Sequence, residues 1–151
     1  MSMLEYRCDG IGFYTQNVTE EQMLRFIKEY EHLIPEIRDK QLAEAIAEIL
    51  EEREKTDEPG DLLDDIRDAT HTMTYSEFIE QVMDVALEGI ELNAIGVDED
   101  GKEGIYFERS YPWQATPRER QMSRHELEDK LKVFADIFEV PVEEVEFEFC
   151  S

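Results

Sequence analysis

The sequence predicts an α+β fold: a small, mostly antiparallel sheet packed against about five helices. The sheet would comprise an N-terminal strand, a central hairpin and a C-terminal strand. Three observations predict this. Apolar residues recur at helical spacing from residue 19 to 88 and again after 123, and they switch to period two at the chain ends and around 91–109. Three Ser/Thr-x-x-Glu/Gln sequences stand at the expected helix starts. An apolar content of 41% with 10% aromatics supplies a core for one domain over residues 1–151, which argues against disorder despite the charge.

Met3 to Tyr14 mixes β-formers with Gly10 and Gly12 and predicts one strand, with the glycines as its breaking points. Thr19 to Gln22 is a capping box, and Met23, Phe26, Ile27, Tyr30 and Ile34 follow on one helical face. Pro35 suits the first turn of a new helix, predicted over 35–55 with Leu42, Ala45, Ile46 and Ile49 inward. Thr56 to Gly60 breaks the chain, and Asp61 caps a short helix carrying Leu62, Leu63, Ile66 and Ala69. A second box, Thr74 to Glu77, opens a helix to about Glu88. Phe78, Ile79, Val82, Val85 and Ala86 point inward there, and Gly89 is its stop.

Residues 91–97 and 103–109 read as strands, joined through Asp98–Lys102 by a hairpin turn with Asp-Gly at its centre. Tyr111 to Arg120 is a loop. The box Ser123 to Glu126 starts a helix with Leu127, Leu131, Phe134 and Phe138 on one face, ended by Pro141. Val145 to Phe149 alternates as a half-buried strand with Glu outward.

Charge is the strongest functional signal. Thirty-nine acids against 15 bases give −24, and the imbalance is local. Residues 34–100 hold 21 acids and five bases, whereas 1–33 hold six and three, and 101–151 hold 12 and seven. Within the middle block the acids form same-sign stripes at helical spacing: Glu44, Glu48 and Glu51; Asp61, Asp64, Asp65 and Asp68; Glu77, Glu80, Asp84 and Glu88. Like charges at i,i+4 cost a few tenths of a kcal/mol per pair, so a purely structural surface would mix signs more. Such a surface disfavours nucleic acid and anionic membranes and favours a basic protein.

Spacing suggests a sharper use. A DNA strand carries a phosphate every ~3.4 Å, and a helical stripe places a carboxylate every ~5.4 Å, so two adjacent stripes approach phosphate density. The expected function is therefore a non-enzymatic acidic binding protein that occupies the nucleic-acid-binding surface of a basic partner. In size and charge alone the chain resembles small acidic inhibitors of CRISPR effectors and restriction enzymes; no motif is shared. For a phage or mobile-element gene the compartment would be the host cytoplasm.

Two other classes stand beside this one. The segment 106–113 holds four aromatics, so Tyr111 and Trp113 could anchor an adaptor or a homodimer. A small enzyme would need a motif, and none is visible: there is no Gly-rich phosphate loop, no Gly-x-Ser-x-Gly and no His-Glu-x-x-His. His32, His71 and His125 are scattered. Asp98–Gly101 fails calcium-loop spacing. No catalytic residue, metal or cofactor is expected. Cys8 and Cys150 suit a reduced cytoplasmic protein, and bridging them would require their strands to be neighbours. No membrane span or export signal is read from the sequence.

Overall fold

The computed structural model describes residues 8–29, 40–55, 61–87, 93–108 and 123–150. In chain order the elements are β1 (Cys8–Tyr14), α1 (Glu20–Lys28), α2 (Lys40–Glu54), α3 (Leu62–Thr70), α4 (Tyr75–Ala86), β2 (Asn93–Val97), β3 (Glu103–Glu108), α5 (Arg124–Ala135), β4 (Glu143–Phe147) and β5 (Phe149–Cys150). The α+β class is as predicted. Every strand pairing is antiparallel, in the order β4-β1-β3-β2-β5.

Helix starts follow local side-chain chemistry. Thr19 accepts from the Gln22 amide (3.2 Å) and Gln22 returns to the Thr19 amide (3.0 Å), a complete box. Thr74 and Ser123 likewise accept from Glu77 and Glu126. The Glu77 carboxylate, however, takes the Met73 amide (2.8 Å), so that cap reaches one residue further back than the box predicts.

Several boundaries differ from the sequence reading. The last helix ends at Ala135, well short of Pro141. Glu139 takes a left-handed φ of 58° there. The amides of Val140 and Glu139 donate to the carbonyls of Ala135 (3.1 Å) and Asp136 (3.2 Å), which is a Schellman closure. Phe138 is carried in that closure rather than on the helix, and it is still buried. The helix from Tyr75 is closed at Leu87, whose amide donates to Met83; Glu88 and Gly89 lie outside the described residues. So do Met3–Arg7, Tyr30–Asp39 and the loop with Tyr111 and Trp113. The glycines do not break β1: it pairs with β3 from Gly10 to Tyr14 without interruption.

Strand alternation divides the sheet's two faces. Ile11, Phe13, Ile95, Ile105 and Phe107 face the helices and join their apolar stripes in the main core. Phe26 lies at its centre, 5.3 Å from Phe138 and 6.2 Å from Phe78 between ring centroids. A buried hydroxyl pair, Thr15 and Ser76 at 2.6 Å, ties the end of β1 to the first turn of α4.

The other face has a small core of its own, made of Tyr106, Val145 and Phe147 with Tyr14 against them. It exists because the sheet rolls up. β4 and β5 are separated by Glu148 alone, yet they occupy opposite ends of the strand order. The C-terminal strand therefore passes from β1 to β2, where Glu148 donates its amide to Val97 (3.0 Å). A single alternating strand was predicted; the bend at Glu148 divides it between two partners. Phe147 is fully buried and packs onto Gly96 and Gly104. A Cβ at Gly96 would fall 2.8 Å from that of Phe147, so only glycine admits the ring.

Candidate functional site

The described stripe carboxylates lie on three helices in contact in series, α2 on α3 and α3 on α4. On α2, the inward residues Leu42, Ala45, Ile46 and Ile49 leave Glu44, Glu48 and Glu51 exposed. Glu51 pairs with Lys55 at 3.1 Å, both ends open to solvent. Such a solvent-screened pair contributes little to stability and can be given up to a partner.

The α3 stripe is less uniform than its spacing suggests. Asp61 is the N-cap, its carboxylate accepting from the Leu63 amide at 3.0 Å. Asp65 is half-buried because Leu62, Asp65, Ile66 and Ala69 share i, i+3, i+4, i+7 spacing, which sets it on the flank of the buried face. There it meets Arg53 of α2 (3.2 Å), whose other amino group holds Glu20 of α1 (2.7 Å). Arg53 thus bolts three helices together at their acidic margins, with only 12% of its side chain exposed. Asp64 lies 3.6 Å from Arg67 and, like Asp68, is exposed. Asp61, Asp64 and Asp68 of this stripe are exposed, and of these Asp64 and Asp68 are free of a helix-capping role.

On α4, Glu77 and Asp84 are exposed, but Glu80 is partly buried. It lies between Ser76 and Met83 at i, i+4, i+7, and both of those are buried. Burial first, then the charges of Asp84 and Glu77, push its carboxyl up to about 7. The group is therefore partly protonated near neutrality, and the α4 stripe carries less charge than its composition implies.

Sequence reasoning missed a second acidic site. A cavity of about 270 Å3 opens between the hairpin turn and the C-terminal strand, lined by Tyr14, Asp98, Glu99, Asp100, Glu144, Val145, Glu146, Phe147 and Glu148. The turn is rigid: Asp98 Oδ1 accepts from the amides of Asp100 (3.0 Å) and Lys102 (2.9 Å), and Gly101 takes the φ of +80° that closes it. The Tyr14 hydroxyl is pushed above its ordinary value by burial first, then by the charge and hydrogen bond of Asp98 and the charges of Glu143 and Asp100. The alternating Glu residues of 144–148 and the acidic turn were each visible in the sequence. Their meeting depends on β5 crossing to β2, for which no local signal exists.

No protein-family model, curated protein or solved structure matches the chain.

The remaining candidates are engaged within the protein's own structure or stand apart from one another. Arg124 is bound to the protein's own acids, Glu128 (3.0 Å) and Glu144 (2.6 Å). His125 is exposed beside Asp129, and His71 is the left-handed C-cap of α3. Cys8 and Cys150 lie on strands that do not pair with one another. Among the described residues no cluster of three or more His, Cys, Asp or Glu is arranged to hold a metal ion, and no helix is long and apolar enough to cross a membrane.

Proposed function

We propose that this protein is a non-enzymatic binder whose acidic helical face occupies the nucleic-acid-binding surface of a basic partner, in the manner of a DNA mimic. One observation supports this reading above the rest: Glu44, Glu48, Asp64 and Asp68 are exposed on two directly packed helices whose opposite faces are buried in the core. The backbone carrying the charges is therefore preorganised, which lowers the entropic cost of engaging a groove built for phosphates. Glu44, Glu48 and Asp68 make no ion pair with a described residue. Association driven by such a face is fast and weakens steeply with salt.

The geometry also selects the residues for the test. Asp61 and Asp65 support the fold, through a helix cap and through Arg53, so reversing them would confound binding with stability. The variant Glu44→Lys, Glu48→Lys, Asp64→Lys and Asp68→Lys leaves both contacts in place. Immobilised protein is expected to retain basic nucleic-acid-binding proteins from a cell extract at low salt and release them to duplex DNA or high salt. The variant should retain none. Undiminished capture by the variant, or capture indifferent to salt and to DNA, would sink the reading.

A further inference from the structure

We propose that the C-terminal strand, residues 143–150, is an ionic-strength-sensitive strap whose β5 end closes the rolled sheet when the hairpin cavity's carboxylates are screened and lets go when they are not. The strap has one firm end and one weak end. Its first half pairs with β1 from Glu143 to Phe147 and is tied to α5 by Arg124 on Glu144. Beyond Glu148, among the described residues, Phe149 and Cys150 alone pair, with Val97 and Gly96. The Glu148 amide on Val97 adds one hydrogen bond at 3.0 Å, and Phe147 over Gly96 supplies the apolar grip.

Repulsion acts against that weak end. Asp98, Glu99 and Asp100 stand on the turn and Glu148 at the bend of the strap, all lining one cavity of about 270 Å3, with no basic side chain among the described lining residues. Salt screens such exposed charges, with a screening length of about 10 Å at 0.1 M. The turn cannot relax away from them, because Asp98 Oδ1 is held by two amides and the Asp98 amide by the Lys102 carbonyl at 2.9 Å. The strain is therefore borne by the element with two paired residues. Opening at Glu148 would release β5 from β2 while leaving β4, and with it the cavity's Glu144–Phe147 wall, on β1.

Hydrogen exchange on the intact protein tests this at fixed pH, between about 10 mM and about 1 M salt, where the screening length falls from about 30 Å to about 3 Å. Amides of residues 148–150 are expected to slow by about threefold or more at high salt relative to those of α2, which report the salt response of the whole molecule. The variant Glu99→Gln, Asp100→Asn and Glu148→Gln, which keeps Asp98 and its turn, should exchange slowly at both salts. Gly96→Ala, which disturbs the Phe147 seat, should exchange fast at both and provides the open reference. The proposal is overturned if the strap and α2 respond to salt alike, or if the neutralised variant keeps the wild-type response.

Discussion

The two faces of the sheet are stabilised in different ways. The helix-facing core is broad: α1 to α5 each add buried apolar residues, and Phe26 alone touches three other rings. The far-side core is three buried residues and a tyrosine, assembled because a strand turns back over glycines. The broad core gains from redundancy, since its surface scales with the number of helices contributing to it. The small one depends on a ring and the absence of a side chain opposite. Damage to the first should be global, and damage to the second should begin locally.

The largest effect that would sharpen this contrast is Phe78→Ala, expected to cost about 3–5 kcal/mol through the cavity it leaves in the main core. That is much of a typical domain's stability, and the urea midpoint and the exchange of every helix should move together. Phe147→Ala is expected to strip protection from residues 143–150 first, with the α1–α4 amides still protected. Simultaneous loss of both regions would break the comparison and show a single cooperative unit.

Next comes Gly96→Ala. Overpacking against Phe147 should cost about 1–3 kcal/mol, read as a lower thermal midpoint with helical circular dichroism retained below it. An unchanged midpoint would mean that the small core is loosely filled.

A smaller effect separates the acidic helices from their own composition. The folded chain holds the Glu80 proton up to about pH 7, whereas the unfolded chain releases it near 4.5. Between those values the native state binds more protons, so this group's contribution to stability falls as pH rises and stays low above about 7. Glu80→Gln should therefore stabilise the protein above that range by about 1 kcal/mol after allowance for partial exposure. The advantage should disappear below pH 4.5. An advantage that persists in acid would place the effect in packing rather than in charge. Smallest of all, Lys55→Ala removes an exposed pair with Glu51 and should leave the midpoint of a denaturant titration almost unchanged.

Legibility in the sequence followed the range of the interactions. Thr19, Asp61, Thr74 and Ser123 announced helix starts because a cap is settled within three residues. Leu42, Ile46 and Ile49, or Phe78, Ile79 and Val82, announced buried faces because helical periodicity is local. The acid stripes were legible as spacing but not as surface. A position such as Asp65 or Glu80 falls on a flank, and only the neighbouring element decides whether it meets Arg53, apolar cover or water.

By itself the sequence determined the α+β class, the helix caps, the turn at Asp98–Lys102 and the concentration of charge between residues 34 and 100. Each depends on contacts a few residues apart or on composition alone. Only the tertiary structure decided that the C-terminal strand divides at Glu148 between two sheet edges. The same holds for the space Gly96 leaves for Phe147 and for the cavity formed by carboxylates from the turn and the strap. Those features join residues about fifty positions apart, where alternation indicates which face a side chain takes but not which strand will lie beside it.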